Sequence, residues 1–385
     1  MKTVVLGGVG AMGIHTTPAL LASGLFTEVV VADIDVAKAR AQAAAWHLPP
    51  TSVVALDAGD DAALVRLMAG AGVVVNALPK PFVLPVARAA LATRVPTIDL
   101  SSLSPALRAL HADAQAVGAL YVAGCGSSSG LTNMLAKHGA RGLERVEAVD
   151  IAFASFRAIA LSPASIRGVF WEFGPDTPRG YYADGAYQSA GWFEGARQVE
   201  FAPPIGAQTV YYVPHSEVES LPRNLGAHSV AVRGTFTPQA MRLMQALTDY
   251  GVFAPGTVQV AGQPVERREL LAAYLAQVPE ARHEPVWGYG LHVEVTGWRD
   301  GRRIRRRLWT EQPSPETPGW SGPAAWARCV AGPFVAGALL LAQGAQQGVG
   351  VDAPEAFLPA EAFLKLVQAQ GLSIHEQVEQ VAAAR

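Results

Sequence analysis

The chain opens on a short apolar run, Lys2 to Leu6, that breaks into glycines, after which Ile14 to Ser23 carries small and apolar residues at helical spacing. The same rhythm then recurs. "TEVVVADIDV" predicts a second buried strand ending near Asp33, "SVVALDA" a third ending at Asp57, and "GVVVNALP" a fourth ending at Asn76. "VPTIDLSS" places a fifth around Asp99, and "ALYVAGCG" a sixth running to Gly126. Helical segments such as Asp61 to Met68 and Pro85 to Ala92 fall between them. β-branched runs alternating with helices predict βαβ units and a parallel sheet covered on both faces.

Beyond a helix predicted over Leu131 to His138 the pattern changes. "RVEAVDIAFASF", "QTVYYVP", "HSVAVRGTF" and "YGLHVEVTGWRDGRRIRRRLW" alternate partially with period two, and Asp300-Gly301 is a hairpin turn signal. Helices over Pro238 to Tyr250 and Arg267 to Ala276 interrupt them, which predicts an α+β, mostly antiparallel second domain. The Pro- and Gly-rich "EQPSPETPGWSGP" then leads to an apolar helix and a tail, "GVDAPEAFLPAEAFLKLVQAQG", expected to return to the first domain or bridge the two.

Composition adds limits. A length of 385 residues favours two domains over one core. Half the residues are hydrophobic, and a formal charge of −2 gives no global field for nucleic acid or an anionic membrane, so a small-molecule partner is expected. "RDGRRIRRR" reads as a solvated hairpin arm or subunit contact, because its charges alternate between faces and no stacking aromatics accompany it. The tryptophans Trp171, Trp192, Trp287, Trp298, Trp309, Trp320 and Trp326 read as core or interface residues. Cys125 and Cys329 are too few for a disulfide framework and lack zinc spacing, so no metal site and a reduced, cytoplasmic setting are expected. No signal-like start is seen, and the apolar run Phe334 to Ala342 falls short of the ~20 residues a membrane span needs.

Gly8-Val9-Gly10-Ala11-Met12-Gly13 is a G-x-G-x-x-G between a predicted strand and helix, the arrangement that brings a dinucleotide pyrophosphate to a helix N-terminus. Asp33 follows Gly13 by twenty residues, where an acid meets ribose hydroxyls. Asp33 with Asp35 nearby, and no arginine after the strand, favours NAD over NADP. Ligands of parallel sheets lie beyond the strands' carboxyl ends. That brings Asp57, Asn76, Ala77, Leu78, Pro79, Asp99, Ser101 and Gly126 to the cofactor side. Asp57 reads as an adenine-side contact or a turn former, and Asn76 as a nicotinamide-side contact or a cap. Cys125 reads as packing beside the sheet rather than as a nucleophile.

Together, "GGVGAMG", "NALP", "TIDLSS", "GCGSSSGLTNMLA", "HSEVESLPRNL", "VRGTF" and "GPFVAGALLLAQG...GVDAPEAFLP" resemble the saccharopine dehydrogenase-like family almost end to end. The resemblance implies an α/β chain: a Rossmann-type domain over 1–140, an inserted substrate and dimerisation domain over 141–318, and a return over 319–385 to the first domain. It implies a homodimer and hydride exchange at a carbon–nitrogen bond. Relatives place Asp99 near substrate, and Thr235 sits in a matching G-T segment. Their loop G-x-x-P-G lacks its proline here, though Gly130 and Asn133 remain. Arginines that saccharopine reductase carries beside the position of His215 and at that of Thr237 are absent, which argues for a smaller or less acidic substrate. Arg223 and Arg233 are left to hold one carboxylate, with ion pairing as the alternative. His215 is the first acid/base candidate, Asp99 the second and Glu217 the third. "HSEVESLPR" is similar to lysine 6-dehydrogenases, so a lysine-related amine is favoured. The alternatives are an enzyme forming saccharopine, an opine or a polyamine precursor, which extra acidic lining would favour, and a non-catalytic dinucleotide sensor.

Overall fold

The computed structural model describes residues 1–160, 163–282, 286–311 and 322–382. They divide into two compact units, Met1–His138 with Ala327–Leu372, and Gly139–Trp326 with Ser373–Arg385.

In the first unit, β1 (Lys2–Leu6), β2 (Glu28–Asp33), β3 (Val53–Ala55), β4 (Val73–Asn76), β5 (Thr97–Asp99) and β6 (Leu120–Val122) lie in the order β3-β2-β1-β4-β5-β6. All pair in parallel, and strand Gly350–Asp352 adds a seventh beside β6. Val4, Val5, Leu6 and Val73 to Val75 have no exposed surface, as expected of strands covered on both faces. The strand order reverses at β1, which opens a crevice beyond the carboxyl ends of β1 and β4. Leu6 stands opposite both Ala32 and Asn76, and Asn76 opposite Asp99, so the loops after four strands leave the sheet at one level.

The tail divides. Gly350–Asp352 joins the first sheet, and Ser373–Gln380 pairs with strand Arg302–Glu311 in the second. The expected boundary near 318–319, most of "EQPSPETPGWSGP" and Trp320 lie outside the described residues.

The second unit is built on a nine-stranded sheet around the long strand β7 (Arg145–Phe156). Strand Ser229–Phe236 runs parallel to β7, and strand Gly288–Arg299 antiparallel on its other side. The sheet is therefore mixed at its centre. The hairpin turn is where the sequence predicts it, with φ of 51° at Asp300 and 70° at Gly301, the two positive values a type I′ turn requires. In its basic arm Arg303, Arg305 and Arg307 pair with Glu147, Glu294 and Glu379 on neighbouring strands. Arg306 points the other way and donates to the carbonyls of Gly139 and Arg141. Four of the arm's arginines are thus held by contacts within their own unit.

The alternation of β7 positions the chemistry of this unit. Ala152, Ala154 and Phe156 pack with Val199, Phe201, Ile205 and Val210 on one face. Phe153 and Ser155 therefore stand on the other, and Arg157 continues that series. Gly234 lies opposite Phe153 in the neighbouring strand, and a Cβ there would come within 2.2 Å of the ring. A glycine at this point is what lets Phe153 lie across the strand.

Candidate active site

The glycine turn after β1 carries the geometry of a phosphate cradle. The left-handed residue is Gly7, with φ of 71°, one position before the glycine the motif assigns to the turn. Gly8 is required for another reason, since its Cβ would meet Val31 at 2.8 Å. At Gly13 a Cβ would lie 2.1 Å from the Gly7 oxygen, so helix Gly13–Ala22 packs directly on the turn. A Cβ at Gly10 would meet only that same oxygen, at 3.2 Å, and Gly10, Ala11 and Met12 retain exposed surface. This open glycine at a helix N-terminus fits a dinucleotide pyrophosphate. Asp33 closes the turn: its carboxylate accepts from the backbone N–H of Val9 at 3.2 Å and of Asp35 at 3.0 Å. Asp57 is exposed and accepts from the Gly59 N–H at 2.9 Å, the turn-forming alternative. Ala77 and Leu78 are half-buried, Pro79 is exposed and Ser101 is half-buried.

Asp99 and Asn76 are committed inward. Asp99 has no exposed surface, and its Oδ2 accepts from the Tyr121 hydroxyl and from Asn76 Nδ2 at 2.7 Å. Its Oδ1 accepts from the Ser101 N–H at 2.6 Å, while Asn76 Oδ1 accepts from Leu78 N–H at 3.2 Å. The trio ties the ends of β4, β5 and β6 together. Burial raises the Asp99 carboxyl to about 6, against the lowering effect of Tyr121, Ser101 and Asn76. Gly126 is buried too, and its N–H donates to the Ser129 oxygen at 3.0 Å. In the same loop the Gly130 N–H donates to Asn133 Oδ1 at 2.8 Å, which keeps the turn closed without the missing proline. Burial, and then the charge of Glu355, raise the Cys125 thiol, so it is no nucleophile.

The second unit holds a separate charged cluster. His215 precedes helix Glu217–Leu225 and lies 3.4 Å from Glu172 by Nε2 and 3.8 Å from Glu217 by Nδ1. Its ring stacks on Phe153 with centroids 5.1 Å apart and planes 15° off parallel. Burial alone would lower the imidazole, but the adjacent Glu172 and Glu217 carboxylates outweigh it and hold His215 at about 9. It is a cation at neutral pH.

Arg223, Arg233 and Thr235 each make contacts within the second unit. Arg223 is exposed in the last turn of its helix and donates to the Glu219 oxygen at 3.3 Å. Arg233 pairs with Asp150 at 2.9 Å and also donates to Gly195 O and the Tyr212 hydroxyl. Thr235 alternates with Gly234 and Phe236, and so stands with Ala154 on the face of the sheet away from Phe153. Arg233, opposite Ala152, stands on that same face. The residues that share the surroundings of His215 were missed: Glu172, Phe153, Arg157, Tyr289 and Trp326. Tyr289 lies 6.0 Å from Phe153 and 6.4 Å from Trp326, ring centre to ring centre. Only the period-two series 153, 155, 157, which begins in β7 and runs one residue past its end, carried a local signal for them.

Residues 3–122 match the family model described as the saccharopine dehydrogenase NADP binding domain. Over 397 aligned positions the chain is 25% identical to a carboxyaminopropylagmatine dehydrogenase from Synechocystis sp., covering 97% of this chain and 96% of that relative. Its fold matches an apo saccharopine dehydrogenase (L-Glu forming) from Saccharomyces cerevisiae with a TM-score of 0.70 at 17% identity, over 99% of this chain and 100% of that one. A glycine cradle that fits a dinucleotide, a matching model over residues 3–122 and a dehydrogenase aligned nearly end to end agree: the chain is an NAD(P)-dependent oxidoreductase whose nucleotide-binding domain is of the saccharopine dehydrogenase type and whose full length is similar to dehydrogenases of that kind.

Proposed function

We propose that this oxidoreductase exchanges hydride at a carbon–nitrogen bond of an amine-bearing, amino-acid-derived substrate, with NAD preferred to NADP. The observation that carries the reading is His215 held between Glu172 and Glu217 against the Phe153 ring. A nicotinamide bound in the first unit supplies or takes the hydride. His215, already protonated at neutral pH, is a proton donor, and hydride addition to a C=N bond needs a protonated nitrogen. Glu172 and Glu217 flank the imidazolium, and the charges of Arg157 and Arg179 act on Glu172 in turn, so the cluster has no net negative charge. A substrate with a second cationic group, a polyamine precursor, is favoured over a lysine-related free amine. The Synechocystis relative, whose name specifies carboxyaminopropylagmatine, supports the same choice. The NAD preference rests on the Asp33 carboxylate at the end of β2 and the exposed, uncharged Ile34 beside it.

Absorbance at the reduced-nicotinamide band tests this, with each cofactor over L-lysine, saccharopine, L-glutamate plus allysine, diamines and carboxyaminopropylagmatine. Turnover on a substrate with a second cationic group supports the reading. Turnover on lysine alone restores the lysine 6-dehydrogenase assignment. Cofactor binding without turnover on any member leaves the sensor reading standing instead.

A further inference from the structure

Strand Ser373–Gln380 closes one end of the nine-stranded sheet, and no strand among the described residues pairs with its outer side. At eight residues it is the longest sheet edge among them, while the opposite end of the same sheet, Arg197–Phe201, has five. It is also accessible. Glu376, Gln377 and Val378 are exposed in succession, and Val378 is 52% exposed. An edge of this kind is a template for another strand unless Pro, Lys or a bulge guards it. "SIHEQVEQ" contains neither residue, and its register with Arg302–Glu311 runs without a shift.

Its carboxylates do not guard it either. Glu376 accepts from Arg141 at 2.7 Å, and Glu379 lies 3.2 Å from Arg305 and 3.1 Å from Arg307, so each already faces an arginine of its own chain. His375 is held at the edge, its ring stacked on Trp309 with centroids 5.3 Å apart and its Nε2 3.0 Å from the Glu311 carboxylate. The backbone has a definite orientation. Val381 N–H donates to the Arg303 oxygen, so the odd-numbered positions turn their N–H and C=O groups toward Arg302–Glu311. Ile374, Glu376, Val378 and Gln380 turn theirs outward.

We propose that this edge pairs antiparallel with the same edge of a second copy of the chain, joining two nine-stranded sheets across a two-fold axis at Gln377. The contact is independent of the reaction assigned above. Its register follows from the sequence. With Gln377 on the axis, Glu376 stands opposite the partner's Val378, His375 opposite the partner's Glu379, and Ile374 opposite the partner's Gln380. No like charges meet, and an imidazole faces a carboxylate on each side of the axis. An axis at Glu376 would instead set two Glu376 carboxylates against each other, and one at Val378 would separate His375 from Glu379. The outward positions of the two copies then coincide over the whole strand, for about eight backbone hydrogen bonds. Because the same residues supply both sides, the contact closes as a dimer and does not propagate.

Two measurements on the full chain test this. Light scattering across a concentration series is expected to show a dimer. Val378→Pro removes an outward N–H and leaves the bonds to Arg302–Glu311, so it should weaken the dimer at least tenfold with an unchanged far-ultraviolet circular dichroism spectrum. Gln377→Cys places two thiols across the axis with Cα atoms about 4.5 Å apart, within reach of a disulfide, and mild oxidation should convert the chain to a covalent dimer. The native Cys125 and Cys329 are buried. Val378→Cys, whose two copies stand two positions apart along the edge, should not crosslink. A wild-type monomer, or assemblies that lengthen with concentration, overturns the proposal. So does a dimer that survives Val378→Pro and gives no disulfide at Gln377→Cys. Crosslinking of Val378→Cys in place of Gln377→Cys overturns the register. A disulfide at Gln377→Cys supports the contact even where Val378→Pro fails to fold.

Discussion

His215 illustrates how a buried group acquires its charge from neighbours. Burial disfavours the imidazolium, and two carboxylates within 3.4 and 3.8 Å reverse the balance. Because the folded value lies above the ordinary 6.5, this group contributes stability that is fully present below about pH 6.5 and is lost as pH rises through about 9. Glu172→Gln removes one of the charges, so the His215 titration should fall toward its ordinary range. Imidazole NMR would follow it directly, and the alkaline limb of kcat/KM should move down with it. An unchanged titration would mean that Glu217 alone sustains the cation. Asp99 is an acid raised from 3.8 to about 6, so stability is lost as pH rises from the ordinary value and the loss is complete once pH passes about 6. Its oxygens nevertheless satisfy Tyr121, Asn76 and Ser101. Asp99→Ala would leave those buried donors without an acceptor and should cost about 1–3 kcal/mol, read from denaturant unfolding.

At the scale of elements, the first turn and helix succeed because the backbone is bare where it must be. Gly13→Ala pushes a methyl into Gly7 and Gly8, so the cradle must open. NAD(P)H affinity, followed by fluorescence, should drop at least tenfold. Gly168 is the useful contrast, a glycine inside helix Pro163–Phe173 whose added Cβ would meet nothing within 4 Å. Gly168→Ala should stabilise by roughly 0.5–1 kcal/mol through the unfolded chain, seen as a higher melting temperature. The strands of the first sheet were legible because each is a β-branched run bounded by turn residues. In the second sheet the Asp300-Gly301 hairpin was legible for a similar local reason. The parallel pairing of β7 with Ser229–Phe236 was not, since residues more than seventy positions apart meet there and nothing in either run encodes the partner. The face on which Thr235 stands was lost with it, because a strand's faces are told apart only once its neighbours are known.

As a whole molecule the chain is two units, each with its own sheet, and both made of more than one stretch of sequence. A ligand bound by one unit stabilises that unit by mass action, about 2.7 kcal/mol at a hundredfold excess over Kd. Calorimetric unfolding should therefore resolve two transitions, with NAD(H) raising the one that belongs to the first unit. A single transition that shifts as one would show the units unfolding together.

The sequence by itself determined the nucleotide-binding half. Its strand, glycine turn, helix and following acid lie within thirty-odd residues, and local periodicity with backbone sterics suffices to specify them. The tertiary structure alone decided the second site. Phe153, Arg157, Glu172, His215, Tyr289 and Trp326 come from separate elements and share no spacing, so their proximity arises from sheet pairing and burial. The fold buries Asp99 among Tyr121, Asn76 and Ser101, and sets against His215 the two carboxylates that make it a standing cation, because a charge's environment is set by what the fold brings beside it.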